Sequence, residues 1–198
     1  MKDNSKSDKK PRLPPGQHLT DRFPVLQKGG IPRIDRENYK LEISGEVDNP
    51  VILSLEDLNK IQDKEIVADI HCVTGWTRFN SKWKGISFKK LFELSKPTKK
   101  AKFMEFYCAD GGFTTTVPIE AFKENTILAL SYDGKPIDDK HGGPVRPILP
   151  DLYFYKSAKW VLKTIFLEKD RLGYWERAGY SNKADPWKAQ RYSSDDNS

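Results

Sequence analysis

Short runs in which apolar and polar residues alternate dominate the chain, and they predict a fold rich in β-strands. Residues 39–44 (YKLEIS) alternate strictly, and in residues 158–165 (AKWVLKTI) one set, Ala158, Trp160, Leu162 and Thr164, alternates with Lys159, Val161, Lys163 and Ile165. A period of two is typical of a strand with one buried face. Two further strands are predicted over residues 65–72 and 126–132, the second ending in the Asp133-Gly134 turn. A pair of strands is also expected around Asp110-Gly111-Gly112, because glycine supplies the positive φ that a tight turn needs.

Two helices are predicted from their capping residues. Ser54 is the N-cap of one helix, with Asp57 three residues later as a relative of the capping box. Ser87 caps a second helix, whose aromatic and aliphatic stripe is expected to pack in the core. Residues 73–83, which are rich in polar and aromatic side chains, are predicted as a loop. Strands outnumber helices and no repeat is visible, so the pattern indicates an α+β fold with mixed β-sheets and short helices.

Length and composition indicate one domain flanked by short terminal segments. A chain of 198 residues is long enough to bury a core without disulfides. Residues 1–15 are basic and proline-rich and are predicted to be a disordered arm, residues 16–192 the domain, and residues 193–198 a flexible tail. No secretory apolar region and no run long enough to span a membrane is visible, so a cytoplasmic protein is expected.

The net positive charge suggests that the protein could bind nucleic acid, but the distribution of the charge along the chain weakens this hypothesis. The formal net charge is +6, but residues 1–12 contribute +3 of that excess. The rest is spread over a surface of mixed sign, so nucleic acid is an unlikely partner. A binding module that stacks single-stranded nucleic acid on the aromatic residues of 173–187 stays open as an alternative function.

The two cysteines suggest different roles. The motifs for phosphate-binding loops, dinucleotides and zinc peptidases do not occur in the sequence, and neither does C-x-x-C. Cys108 lies inside an apolar strand and fits a buried structural thiol. Cys72 follows a strand directly, where a thiolate could complete a metal whose other ligands come from a cofactor. A buried structural cysteine and an acyl-transfer pair with His141 are the alternatives.

Two cationic segments form a candidate anion site. In HGGPVR, residues 141–146, the two glycines would let backbone N–H groups approach a ligand, and Arg146 presents a planar fork suited to phosphate. In YKSAKW, residues 155–160, Lys156, the Ser157 hydroxyl and Lys159 add donors. The segments could fold back on one phosphate-bearing ligand; surface lysines and a structural ion pair are the alternatives.

The order of these features resembles the molybdopterin-binding domain of the sulfite oxidase family. The features are Cys72 at a strand end, Trp83-Lys84-Gly85 before a helix, DGKPIDDKHGGPVRPILP and KSAKW, and the resemblance covers roughly residues 20–190. It implies a molybdenum–molybdopterin cofactor with Cys72 as the metal ligand. It also implies cofactor contacts from the positions that match the family's binding residues: Asp110, His141, Arg146, Ser157 and Lys159.

The loop after Cys72 sets this chain apart from sulfite oxidases proper. They carry an Asn-Arg-Arg run after the metal cysteine, whereas this chain has CVTGWTR and leaves Arg78 as the nearby arginine. The stretch looks more like the bacterial and archaeal sulfite-oxidase-like proteins, in which a tryptophan stands at the spacing of Trp76. Together with Cys72, Arg78 and Trp76 are predicted to form the catalytic pocket.

The resemblance implies an oxidoreductase that transfers an oxygen atom to or from a small substrate, either a sulfite-like anion or an S- or N-oxide. Because the resemblance includes no haem domain, a separate electron carrier is the expected partner.

Overall fold

Two β-sheets organise residues 12–197, the part of the chain that the computed structural model describes. The strands are β1 His18–Leu19, β2 Lys40–Gly45, β3 Val51–Ser54, β4 Lys64–His71, β5 Trp76–Ile86, β6 Phe103–Cys108, β7 Thr114–Pro118, β8 Ile127–Tyr132, β9 Lys135–Pro136, β10 Arg146–Ile148 and β11 Val161–Leu167. The helices are α1 Leu55–Lys60, α2 Phe88–Ser95 and α3 Tyr174–Arg177, with 3-10 turns at Ile119–Ala121, Asp139–His141, Phe154–Lys156 and Ser193–Asn197. The predicted α+β fold with mixed sheets is confirmed.

The two sheets differ in strand order, and each contains both parallel and antiparallel strand pairs. One runs β1-β5-β8-β10, with β4 on β5 and β9 on β8, and the other runs β3-β2-β11-β6-β7. The pairs β1–β5 and β2–β11 are parallel, and the remaining pairs are antiparallel. The larger hydrophobic cluster packs around the second sheet and α2, and a smaller one lies on the first sheet beneath the Cys72 region.

The predicted helix caps are confirmed in detail. The Ser54 hydroxyl accepts from the Asp57 N–H, and the Asp57 carboxylate accepts from the Ser54 N–H in return. The Ser87 hydroxyl accepts from the Lys90 N–H at the start of α2. Each side chain satisfies a backbone donor that the first helical turn leaves open, which is why these positions could be found without the fold.

Two predicted boundaries are wrong. Residues 76–86 form the long strand β5 where a loop was predicted, and its inward residues Ser81 and Trp83 alternate with exposed lysines. The strand predicted to start near Ala158 begins only at Val161. Trp160 has φ +55 and its N–H donates to the carbonyl of Gly142, so the segment before β11 is bent towards another part of the chain.

Both ends of the described chain contact the domain. The Arg12 guanidinium donates to both carboxylate oxygens of Asp69, at 2.8 and 2.7 Å. Residues 193–197 form a 3-10 turn in which Asp196 accepts from the Asn182 N–H. The rest of the predicted arm, residues 1–11, lies outside the described residues, and the division into arm, domain and tail stays a prediction. Within residues 12–197, no helix has the length and apolar character needed to cross a bilayer.

Candidate active site

A cavity of about 290 Å³ lies where the turn after β4 meets the segments around β10 and before β11. Nearly all the side chains predicted for the site line this cavity. They are Cys72, Trp76, Asp110, His141, Arg146, Ser157 and Lys159. Residues 141–146 and 157–160 fold back on each other as expected, because the Arg146 guanidinium donates to the Ser157 carbonyl and the Leu149 N–H donates to the Ser157 hydroxyl.

Cys72 occupies the first position of a tight turn between β4 and β5, residues 72–75, called here the Cys72 turn. Its N–H donates to the carbonyl of Trp76, and its own carbonyl accepts from the Gly75 N–H. The thiol lines the cavity, is only 8% exposed and lies 3.2 Å from the Thr74 hydroxyl. Burial raises the pKa of the thiol, against the opposing effects of Thr74 and Arg191. A neutral thiol is therefore favoured until a cation such as a metal stabilises the thiolate.

Arg146 is a buried cation without a counter-charge. It is 2% exposed, its guanidinium donates to the carbonyls of His141 and Ser157, and its Nε has no hydrogen-bond partner among residues 12–197. None of the ion pairs formed by the described residues includes it. Burial lowers the pKa of Arg146 below its usual value. A guanidinium kept in the interior at this cost indicates a site for an anion.

Lys159 brings a second positive charge to the same cavity. Burial, followed by repulsion from Arg146, lowers the pKa of Lys159 to about 8, while Asp110 acts in the opposite direction. Within residues 12–197 the ammonium has two long hydrogen bonds of 3.4 Å, to Gln27 and to the Lys140 carbonyl, and it lies 4.2 Å from the centre of the Trp160 ring. Burial also raises the pKa of Asp110, whose Oδ1 has no hydrogen-bond partner in the described part of the chain. An arriving ligand thus meets polar groups that the fold itself leaves unsatisfied.

The two glycines of HGGPVR serve the fold, and the prediction that their N–H groups bind a ligand is wrong. The N–H groups of Gly142 and Gly143 donate to the carbonyls of Asp139 and Asp138. Gly142 has φ +98, and a Cβ there would lie 2.6 Å from the Lys159 side chain. At Gly143 a Cβ would lie 2.0 Å from the Ile137 carbonyl oxygen. Glycine is required because other parts of the chain pass too close for any side chain.

His141 is a fixed wall of the cavity. Its Nδ1 lies 2.7 Å from the Asp138 carboxylate and its Nε2 lies 3.2 Å from the Phe23 carbonyl, while its ring stacks on Phe23 at 4.1 Å. Both ring nitrogens thus lie against groups other than Cys72, whose sulfur lies 3.2 Å from the Thr74 hydroxyl. The acyl-transfer pair of Cys72 and His141 is not formed.

Two predicted donors lie elsewhere. The Arg78 guanidinium donates to the Ser81 hydroxyl at 2.8 Å, lies 3.5 Å from Asp133 and does not line the cavity, because β5 carries it away from the Cys72 turn. Lys156 forms a buried ion pair with Glu176, both side chains being 1% exposed. It also donates to the Thr116 carbonyl and the Asn182 amide, so it anchors the C-terminal segment and makes no part of the anion site.

Sequence reasoning missed two walls of the cavity. One is the irregular segment of residues 23–28, in which Lys28 donates to the Gly111 carbonyl at 3.3 Å. The other consists of Trp175 and Tyr180, which pack edge to face at 5.5 Å. The aromatic richness of this part was visible in the sequence and had suggested a nucleic-acid surface. No local pattern marked residues 23–28.

Comparison with known proteins places these features in a family. The family model described as oxidoreductase molybdopterin binding domain matches residues 28–175, about three quarters of the chain. The chain belongs to this family. It is accordingly an oxidoreductase of the sulfite oxidase type with a molybdenum–molybdopterin cofactor, as the motifs implied.

Several relatives and one solved structure are similar to this family member. An uncharacterised oxidoreductase of Bacillus subtilis, YuiH, is 39% identical over 96% of both chains. The catalytic subunit MsrP of the protein-methionine-sulfoxide reductase of Campylobacter jejuni is 31% identical over 71% of this chain and 52% of its own length. The chain thus spans about half of that relative. The sulfane dehydrogenase SoxCD of Paracoccus pantotrophus shares the fold, with a TM-score of 0.65 at 21% identity, over 71% of this chain and 41% of the other.

The residues of the cavity fit the family's cofactor. Molybdopterin is an anionic pterin with a terminal phosphate and a dithiolene, so it calls for cations, buried polar partners and a soft ligand for the metal. The cavity offers the buried Arg146 guanidinium, the half-buried Lys159 ammonium, two polar atoms without a hydrogen-bond partner among the described residues (Arg146 Nε and Asp110 Oδ1), and one thiol from Cys72. Among residues 12–197 no cluster of His, Cys, Asp or Glu could hold a metal by itself. A metal brought in by a cofactor and completed by one cysteine agrees with this donor set.

Proposed function

We propose that the protein transfers an oxygen atom to or from a small substrate at a molybdenum atom held by molybdopterin and Cys72. The observation that carries the proposal is the shared cavity: one buried thiol and one buried guanidinium without a counter-charge face the same space. When bound, the cofactor supplies the two-electron oxygen-transfer chemistry. The protein residues hold, orient and shield it.

Each polar residue of the cavity has a distinct proposed task. Arg146 and Lys159 bind the negative charge of the cofactor's phosphate, Arg146 as a fixed fork and Lys159 as a mobile point charge. Ser157 and Asp110 offer hydrogen bonds to the pterin. His141 is held by Asp138 and Phe23, so it can present its ring without changing position. The aromatic walls exclude water, which strengthens these electrostatic contacts.

A neutral S-oxide or N-oxide is the proposed substrate class, in preference to a sulfite-like anion. Arg78, the cation expected to bind such an anion, lies outside the cavity. The charged group that acts on the Cys72 thiol is Arg191, and its guanidinium is already bound to the carbonyls of Val73 and Gly16. Arg146 and Lys159, which line the same cavity, are assigned to the cofactor's phosphate, so neither is left for a substrate anion. The relative MsrP, named as the catalytic subunit of a protein-methionine-sulfoxide reductase, supports the same class.

We further propose that a separate carrier exchanges electrons with the site. The relative MsrP is named as a catalytic subunit, which indicates that this related protein works as part of a larger assembly. The cytoplasmic location predicted from the sequence stays a prediction.

The decisive experiment is a measurement of molybdenum and pterin in protein purified from a host that makes the cofactor. Wild type should contain both in nearly equal amount to protein, Cys72→Ser should retain pterin with an altered metal environment, and Arg146→Met should lose most of both. Cys108→Ala and Arg177→Met are matched controls, because Cys108 lies in the core and Arg177 is an exposed arginine that donates to the Leu172 carbonyl and does not line the cavity. Wild-type protein that folds without metal or pterin in such a host would refute the proposal.

A further inference from the structure

Side chains from both ends of the chain form hydrogen bonds with the Cys72 turn. Gln17 lies before residues 28–175, the segment that matches the family, and Arg191 lies after it. Each reaches the turn with a side chain that donates to a backbone carbonyl. The turn that carries the cysteine is therefore held by residues that the family match does not include.

From the N-terminal side, Gln17 binds the carbonyl of Cys72 itself. Its Nε2 donates to that oxygen at 3.1 Å, and its Oε1 accepts from the Thr77 hydroxyl at 3.3 Å. Thr77 lies 2.9 Å from Nδ1 of His71, so both strands that flank the turn belong to the same buried network. Strand β1 begins directly after Gln17 and pairs in parallel with β5, so the backbone of Gln17 is held next to this network.

From the C-terminal side, Arg191 bridges the turn and the N-terminal segment. One guanidinium nitrogen donates to the Val73 carbonyl and the other donates to the Gly16 carbonyl at 3.2 Å. The guanidinium also lies over the ring of Tyr153, 5.3 Å from its centre. The Arg191 backbone is held in turn, because its carbonyl accepts from the Ser181 N–H at 3.0 Å. A planar fork can join two carbonyls in this way, and a lysine ammonium fits the geometry less well.

We propose that Arg191 is a positioning residue for Cys72, which fixes the turn so that the sulfur faces the cavity. The metal consequence rests on the proposed function, whereas the positioning itself is a property of the polypeptide. Without the guanidinium, the carbonyl of Val73 loses a charged donor, and the turn depends on its backbone bonds and on Gln17. The C-terminal segment thereby becomes part of the site.

Hydrogen exchange of the full-length, metal-free protein tests the positioning. In Arg191→Met the amides of residues 72–77 should exchange about tenfold faster, since a hydrogen bond from a charged group is lost, while peptides from α2 keep their rates. Arg191→Lys should fall between this variant and wild type. Arg177→Met is the matched control, because Arg177 donates to the Leu172 carbonyl within the same C-terminal segment.

The outcomes separate positioning from a general structural role. Wild-type exchange in Arg191→Met, or equal acceleration in Arg177→Met, would overturn the proposal. If Arg191→Met accelerates exchange throughout the protein, the result for Arg191→Lys decides between the two roles. In Arg191→Lys, faster exchange confined to residues 72–77 supports positioning. Wild-type rates in Arg191→Lys, or faster exchange everywhere, refute it.

A second measurement connects the positioning to the metal. In protein loaded with cofactor, Arg191→Lys should shift the sulfur-to-metal absorption band while Arg177→Met leaves it unchanged, because the band depends on how the thiolate meets the metal. An unshifted band would overturn the effect on the metal. If wild type binds no molybdenum, the proposed function fails, and the exchange experiment still decides the positioning on its own.

Discussion

Anion binding in the cavity should weaken steeply as the pH rises from 7 to 9, because the Lys159 ammonium loses its proton in this range. The pKa of Lys159 is lowered to about 8 by burial and by repulsion from Arg146. An anion binds the protonated amine and not the neutral one, so its affinity follows the protonated fraction. That fraction falls from about 90% at pH 7 to about 10% at pH 9 for a group of this pKa.

The magnitude follows from these fractions. Loss of the Lys159 proton alone lowers affinity about tenfold between pH 7 and pH 9. Arg146 stays protonated over this range, as guanidinium groups do in proteins, so it adds a constant attraction and no further pH dependence. The effect of pH on stability has the opposite sign to its effect on anion affinity. Burying the ammonium lowers the free energy of unfolding below pH 8, and this penalty disappears as pH rises towards the value of 10.5 for an exposed lysine.

Sulfate is a suitable probe, because its charge is constant over this range and any pH dependence therefore belongs to the protein. Titration calorimetry of cofactor-free protein with sulfate should show the decrease of about tenfold for wild type. Lys159→Arg, which stays charged, should show an affinity that does not change over this range. Lys159→Met should bind weakly at pH 7 and change little. A flat wild-type profile, or the wild-type slope in Lys159→Arg, would refute the reasoning.

Three further predictions concern stability and the second cysteine. Lys156→Met should lower the free energy of unfolding by about 3–5 kcal/mol in urea, because it leaves the Glu176 carboxylate buried without its partner; a loss below about 1 kcal/mol, the value for an exposed pair, would contradict this. Gly142→Ala should cost about 3 kcal/mol in the same assay, since alanine is strained at φ +98 and its Cβ would collide with Lys159; wild-type stability would show that the segment can move aside. Cys108→Ala should lose only about 1 kcal/mol and keep its molybdenum, and loss of metal without unfolding would assign this core thiol to the site.

Local patterns in the sequence predicted much of the secondary structure. The alternation in residues 39–44 became β2, and the serine caps at Ser54 and Ser87 became helix starts, because strand periodicity and capping depend on residues a few positions apart. The loop predicted for residues 76–83 was wrong, although Ser81 and Trp83 already alternate with lysines. The loop prediction rested on the aromatic and polar composition of this segment, although its alternation indicated a strand.

The candidate site was predictable where residue chemistry and chain order are sufficient. Cys72, Arg146 and Lys159 were chosen from their chemistry and from the family's order of motifs, and all three line one cavity. The reason given for the glycines of HGGPVR was wrong, however. Only the fold shows that Lys159 and the Ile137 carbonyl pass within contact distance of these positions.

By itself, the sequence determined the strand pattern, the family and the set of groups that could hold a molybdenum cofactor. Tertiary structure decided which of them share the cavity. Lys156 and Lys159 stand three residues apart in the same motif, yet one pairs with Glu176 in the core and the other faces the cavity. Arg78 is near Cys72 in sequence, but its guanidinium donates to Ser81. Arg191 is far from Cys72 in sequence, yet its guanidinium donates to a carbonyl of the Cys72 turn. Spacing along the chain determines local geometry, and the position of a charge in a site depends on long-range packing that no local pattern encodes.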